Sequence, residues 1–347
     1  MAEPTPNEVT GVDVAPVTDW FRANIDGVVP PLTFELIAGG RSNLTFKVDD
    51  AGGHTYVLRR PPTSHVLPTA HDMGREHRII SALADTPVPV APALGFCDDP
   101  EVNGQPFYVM GYVDGHILRD GTTAAKVLDE SRRRAAGESL VEVLAAIHAV
   151  DPDAVGLGEL GRKEGYIERQ LKRWNGQFEQ SKSRDIPVMD DVFAFLSSHV
   201  PEQQGAAIVH GDYRLDNTML GDDGQVKAVL DWEICTLGDP LADVGLLMVY
   251  WADPDDAHQA LGLSPTTLPG FPRRSEIVRL YEARSDRDLS QLNFYVAFGY
   301  WKLACILEGV FARYSGGAMG GDRSGFEGFG EQVVRLAEQA RAAADRV

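Results

Sequence analysis

The stretch from Ile208 to Asp243 constrains the fold more than any other part of the chain. Two short apolar runs, Ala207-Ile208-Val209 and Val226 to Leu230, flank a loop crowded with carboxylates. His210-Gly211-Asp212 follows the first run, Asn217 stands five residues after Asp212, and Asp231 closes the second run. Taken singly, each of these acids reads as a solvated residue between hairpin strands. Taken together, Asp-x-x-x-x-Asn and a later Asp at a strand end suit phosphoryl transfer. One carboxylate can accept the proton of an attacking hydroxyl, while an amide and a second carboxylate hold magnesium on nucleotide phosphates. Asp212, Asn217 and Asp231 are therefore the candidate catalytic residues, with Asn217 and Asp231 as metal ligands.

Length and charge narrow the setting. A chain of 347 residues suits two lobes or two modest domains. No run reaches the ~20 apolar residues of a bilayer span, and the amino terminus lacks the charged-then-apolar pattern of a secretory signal. Cys97, Cys235 and Cys305 are scattered and make no metal cluster or disulfide framework. A reducing cytoplasm is the expected compartment. The formal charge of −19 argues against nonspecific nucleic-acid binding, which depends on Lys and Arg neutralising phosphates. It suits a cationic substrate, but is equally a solubility feature.

Residues 1–13 are small and polar and read as disordered. Val17, Trp20, Phe21 and Ile25 predict a short helix over 15–25. Strands are expected at Leu32 to Ile37, Leu44 to Val48 and Tyr56 to Arg60. The Gly39-Gly40-Arg41-Ser42-Asn43 turn between the first two is either a tight hairpin or a loop lying over phosphates, with Gly39, Gly40, Ser42 and Asn43 as contacts. Val57 and Arg59 share a face of the third strand, where a cation would reach nucleotide phosphates. The adjacent Arg60 leaves the choice of arginine open. On a helix over 70–83, Glu76 falls on the apolar stripe of Met73, Ile80 and Leu83. A carboxylate there either snorkels or pairs with a buried cation, Arg59 being the natural one. After the rigid 87–92 connector, Phe107 to Val113 reads as the last strand of a small sheet. The order along the chain places Met110, Gly111, Tyr112 and Val113 where backbone groups could meet an adenine edge.

From residue 114 the pattern turns helical: 123–148, 166–180, 188–199, 240–251, 293–314 and 332–346. The segment 252–271 reads as an irregular loop, and 315–330 as glycine-rich and mobile. Arg169, Lys172 and Arg173 stand at helical neighbour spacing, either a solvated face or a grip on an anionic substrate. Asp253, in an acidic loop with Asp255 and Asp256, and the aromatic Tyr300 and Trp301 are the other substrate candidates. The 293–314 run is apolar and aromatic but broken by Lys302 and Glu308, which reads as a core helix rather than a membrane span.

With these residues set out, the chain resembles the aminoglycoside phosphotransferase and choline kinase-like family, in the branch related to kinase domains fused to acyl-CoA dehydrogenases. HGDYRLDN at 210–217, VLDWEICTLGDPLADVG at 229–245 and YVLRRPP at 56–62 carry the resemblance. It implies an α+β, two-lobed protein-kinase-like fold. A small antiparallel sheet lobe with one helix would span 14–113, and a larger, mainly helical lobe 114–347. It implies Asp212 as base, Asn217 and Asp231 as magnesium ligands, His210 and Asp243 as supports of the loop, and Glu76 paired with Arg59. Arg59 stands where many relatives carry lysine. Arginine keeps the charge but prefers planar, bidentate partners.

The expected activity is ATP- and magnesium-dependent transfer to a small-molecule hydroxyl by direct in-line displacement. An aminoglycoside or other antibiotic would use the acidic loop. A hydroxyacyl thioester or similar metabolite would use the basic patch and the aromatic helix. No Asp-Phe-Gly or Ala-Pro-Glu triplet follows Asp231, so no protein substrate is expected, nor a nucleic-acid or membrane partner. A nucleotide-binding pseudokinase is the reading from another class, with Arg59 its one support.

Overall fold

The computed structural model describes residues 9–38, 43–63, 72–257, 259–260, 262, 264–315 and 328–347. The chain divides into two compact units, Met1–Gly115 with Lys227–Glu233, and His116–Val226 with Ile234–Val347. The short excursion at 227–233 was not foreseen, because a strand of four residues carries no mark of the unit in which it packs.

The first unit holds α1 (Val14–Asn24), β1 (Leu32–Ala38), β2 (Leu44–Asp50), β3 (Thr55–Arg60), α2 (Met73–Leu83), β4 (Ala93–Cys97), α3 (Pro100–Asn103) and β5 (Phe107–Gly111). Five strands pair antiparallel in the order β1-β2-β3-β5-β4. β5 is last in sequence but lies inside the sheet, and the unforeseen β4 takes the edge. Its sequence, ALGFC, is short and contains a glycine, so it reads as loop. Gly95 is there for space: a Cβ would lie 2.8 Å from the Trp20 ring. Phe21, Phe46, Val48, Leu58, Phe107 and Val109 form the core under α1, with Trp20 edge-on to Phe107 at 4.9 Å.

Residues 9–13, expected to be disordered, are held in place. Val12 is buried, and the Asp13 amide donates to Asn103 Oδ1 at 2.9 Å. Arg60 donates to the Gly11 carbonyl, so it is committed to this segment and Arg59 alone is left facing the charged cluster described below.

The second unit contains α4 (Gly121–Val127), α5 (Glu130–Ala149), α6 (Tyr166–Ser181), α7 (Pro187–Ser198), β6 (Ala207–Val209) and β7 (Thr218–Leu220). β8 (Val226–Val229) leads into the excursion, and β9 (Thr236–Gly238), α8 (Leu241–Tyr250), α9 (Arg274–Glu282), α10 (Leu292–Ser315) and α11 (Phe329–Ala344) follow. The helix expected over 123–148 is two helices. Leu128 is extended, and the Asp129 side chain accepts from the Arg132 amide to start α5. An N-cap aspartate embedded among good helix formers is easily read through. The loop expected at 252–271 includes a short 3-10 turn at Pro265–Thr267.

By length and composition α10 could cross a membrane, yet 67% of its most apolar window is buried. It packs against α6, α7, α8 and α11. At the crossing with α8, a Cβ on Gly245 would lie 2.5 Å from the Tyr295 backbone, so only glycine allows the helices this approach. Glu308, one of the two charged residues interrupting α10, is buried and paired with Arg184 at 3.2 Å.

Candidate active site

Each unit carries part of the predicted set. In the first, Arg59 is the centre of a charged cluster. Its guanidinium lies 3.2 Å from Glu76 Oε2 and 2.6 Å from Asp231 Oδ1. The expected Arg59–Glu76 pair is thus present, with Asp231 as a second partner. Tyr108, opposite Arg59 in the strand register, donates its hydroxyl to Glu76 at 3.1 Å. Asn43 donates to Glu76 at 3.0 Å and to Glu233 at 3.4 Å. Burial pushes the Glu76 carboxyl up to about 7 against the pull of Arg59, with Asp231 and Glu233 adding to the rise. Burial alone would lower the Arg59 pKa, but Glu76 and Asp231 hold the guanidinium firmly charged. Asp231 has φ 61°, the left-handed conformation that aspartate tolerates better than most residues.

Val57 is buried beside Met110 in the β3–β5 register. The Gly111 amide donates to the Pro92 carbonyl at 2.8 Å, so that donor is already used within the unit. Tyr112 is exposed, and Val113 is half-buried. Gly39, Gly40 and Ser42, expected to contact phosphates, lie outside the described residues.

In the second unit, the loop after β6 is clamped from below. Asp243, wholly buried at the start of α8, accepts the His210 amide at 2.6 Å and the Gly211 amide at 2.8 Å. The expectation that Asp243 acts through backbone contacts is realised in these two bonds. Burial would raise its carboxyl, but His148, His210 and the Gly211 amide hold it below the usual range. His148 is in turn fixed by the Tyr281 hydroxyl at 2.7 Å. Asp212 stands partly exposed at the head of the loop, and Asn217 Nδ2 donates to its carboxylate at 2.9 Å and to its carbonyl at 2.8 Å. Arg214 lies 3.7 Å from Asp212 and 3.3 Å from Asp216, with its guanidinium over the Tyr250 ring. Arg119, Arg214, Asp216, Tyr250, Gln259 and Ser264 line a cleft of about 60 Å³ beside this loop.

The donor chemistry suits magnesium. Asn217 uses its nitrogen on Asp212 and Asp231 engages Arg59 through Oδ1, so each retains an oxygen of the hard type that magnesium prefers. No cluster of three or more His, Cys, Asp or Glu side chains able to hold a metal occurs among the described residues. Magnesium is commonly held by one or two protein oxygens completed by phosphates and water, and each unit offers one such oxygen.

The predicted substrate residues fare unevenly. Trp301 is fully buried, donates to the Met189 carbonyl and stacks on Phe193, so it belongs to the core rather than to a substrate surface. Tyr300 is nearly as buried. Arg169 is spent on the carbonyls of Arg162 and Glu164, while Lys172 and Arg173 remain exposed. The acidic loop is neutralised by its own arginines: Arg274 lies 2.6 Å from Asp256 and 3.9 Å from Asp253, and Arg273 lies 3.0 Å from Asp255.

A family model described as the phosphotransferase enzyme family matches residues 33–277. The chain belongs to this phosphotransferase family. Its relatives include mouse acyl-CoA dehydrogenase family member 10, 38% identical over 278 residues, and rat acyl-CoA dehydrogenase family member 11, 35% identical over 299. These matches cover 79% and 82% of this chain but only 26% and 37% of the relatives' own lengths. A Ralstonia eutropha crystal structure described as a candidate aminoglycoside phosphotransferase is 35% identical, with a TM-score of 0.82 over 96% of this chain and 98% of that one. Cryptosporidium parvum choline kinase shares the fold at 11% identity, with a TM-score of 0.65 over 95% and 94% of the two chains. The chain therefore has the α+β, kinase-like fold of this phosphotransferase family.

The sequence reading missed Tyr108, His148, Tyr250 and Tyr281. Each lies far along the chain from the group it supports, and a lone tyrosine or histidine on an apolar face carries no signal of a polar partner.

Proposed function

We propose that the protein transfers the γ-phosphoryl group of ATP directly to a hydroxyl of a small anionic metabolite. The observation that carries the reading is the His210–Asn217 loop, in which buried bonds fix the backbone and leave the Asp212 carboxylate presented beside a cleft. Asp212 orients the acceptor hydroxyl and takes its proton as the bond to phosphorus forms. Asn217 and Asp231 hold magnesium, which when bound neutralises phosphate charge, and Arg59 adds a fixed positive charge. Val57 and the Met110 to Val113 segment flank the base.

An anionic acceptor is favoured over a cationic one by the self-neutralised acidic loop and by Arg119, which lines the cleft. Lys172 and Arg173 supply further positive charge. The curated relatives are named as acyl-CoA dehydrogenase family members, and a hydroxyl-bearing acyl thioester is the anionic acceptor proposed here. Magnesium-dependent ADP release should be measured across hydroxy acids, hydroxyacyl-CoA thioesters, aminoglycosides and macrolides. Turnover with hydroxyacyl thioesters is the expected result. Turnover confined to aminoglycosides would overturn the acceptor assignment, and ATP binding without turnover on any class would favour a nucleotide-binding module.

A further inference from the structure

Lys302 interrupts the apolar face of α10 at a point where a methionine would fill the same space without desolvating a charge. The residue is 8% exposed. Its ammonium makes one hydrogen bond among the described residues, to the Gly211 carbonyl at 3.1 Å, and faces the Trp174 ring at 5.7 Å. Burial pushes its pKa down and Arg173 adds to this, while Asp243 and Asp212 pull it back up. A cation so placed is costly unless it is used.

The space beside it, lined by Tyr166, Gly211, Asp243, Phe298 and Lys302, is too small for a water molecule. A substrate group therefore has no room to reach the ammonium. What Lys302 does reach is the peptide that leads into Asp212. Asp243 holds the amides of His210 and Gly211, which fixes the approach to that peptide but not its own rotation. The Gly211–Asp212 plane is held at its two polar ends, the carbonyl by Lys302 and the Asp212 amide by His210 Nδ1 at 3.3 Å.

We propose that Lys302 is a positioning residue for phosphoryl transfer, its ammonium locking the Gly211–Asp212 peptide so that the Asp212 carboxylate is held in its working direction. The role acts through Asp212 and rests on the assignment of Asp212 as the carboxylate that orients the acceptor. It is distinct from that of Asp243, because it governs the next peptide along and comes from a different helix.

The test uses Mg-ATP hydrolysis with water as acceptor, so that no acceptor need be known, on the wild-type chain, Lys302→Met and Lys302→Ala. Lys302→Met is expected to lower kcat by about 10–100-fold, the scale of a misplaced catalytic group, while the KM for ATP stays within about twofold. In Lys302→Ala, ethylammonium should restore part of the lost kcat, and tetramethylammonium, which has no N–H to donate, should not. This rescue also covers the case in which the methionine variant folds poorly. A Lys302→Met kcat within about twofold of wild type would overturn the proposal. So would a loss expressed only in KM, or equal rescue by the two ammonium ions. Wild-type protein that binds Mg-ATP but turns it over neither with water nor with any acceptor class contradicts the phosphotransfer reading itself, an outcome visible before any variant is made.

Discussion

Gly211 has φ 86°, and a Cβ there would meet the Ile234 side chain at 3.0 Å. An alanine would therefore carry the left-handed penalty of about 1–2 kcal/mol and press on Ile234 as well. Because the residue precedes Asp212, Gly211→Ala should lose about tenfold or more in turnover while unfolding in urea with only that modest loss of stability. Unaltered turnover in a measurably destabilised variant would detach the conformation of Gly211 from catalysis. At this scale the sequence was informative where spacing is short: Asp212 and Asn217 lie five apart, and the structure joins them by hydrogen bonds. The Arg59–Glu76 pair was legible because a carboxylate on an apolar stripe demands a cation. Asp231 as a second partner of Arg59 was not, since no local rule ties residues 172 positions apart.

Among elements, α10 shows how two charged residues in an apolar helix can be informative. Lys302 and Glu308 marked it as a core helix, and both are buried with specific partners, the Gly211 carbonyl and Arg184. Its crossing with α8 depends on Gly245, whose place is taken up by the Tyr295 backbone. Gly245→Ala should destabilise the protein by about 1–3 kcal/mol, the usual cost of overpacking, measured by chemical denaturation. No change would mean that the helices can separate without loss. The elements that escaped the sequence reading had weak or misleading local signals. β4 is five residues long with a glycine, and α4 and α5 were merged because Asp129 looks like a helix interior until its bond to the Arg132 amide is seen. Trp301 lies in the core although its aromatic spacing matches a substrate-lining residue, because spacing alone does not say which face of a helix is covered.

For the whole molecule, the five-stranded sheet unit with residues 227–233 and the helical unit are each compact, and each carries some of the residues assigned here to ATP and magnesium. Binding of a ligand to the native state stabilises it by mass action, by about 2.7 kcal/mol at a hundredfold excess over Kd. Mg-ATP should accordingly raise the thermal midpoint, chelation of magnesium should remove most of the rise, and Asp231→Ala should behave like chelation. An equal rise with ATP alone would remove Asp231 from the metal assignment. The central claim, that Asp212 drives phosphoryl transfer, is met most directly by Asp212→Asn, which keeps the shape and the Asn217 contact but abolishes the base. Turnover and Mg-ATP affinity should be measured side by side on this variant and the wild type. Turnover should fall by about 10²–10⁴-fold with nucleotide affinity unchanged; wild-type turnover in Asp212→Asn would contradict the role of Asp212.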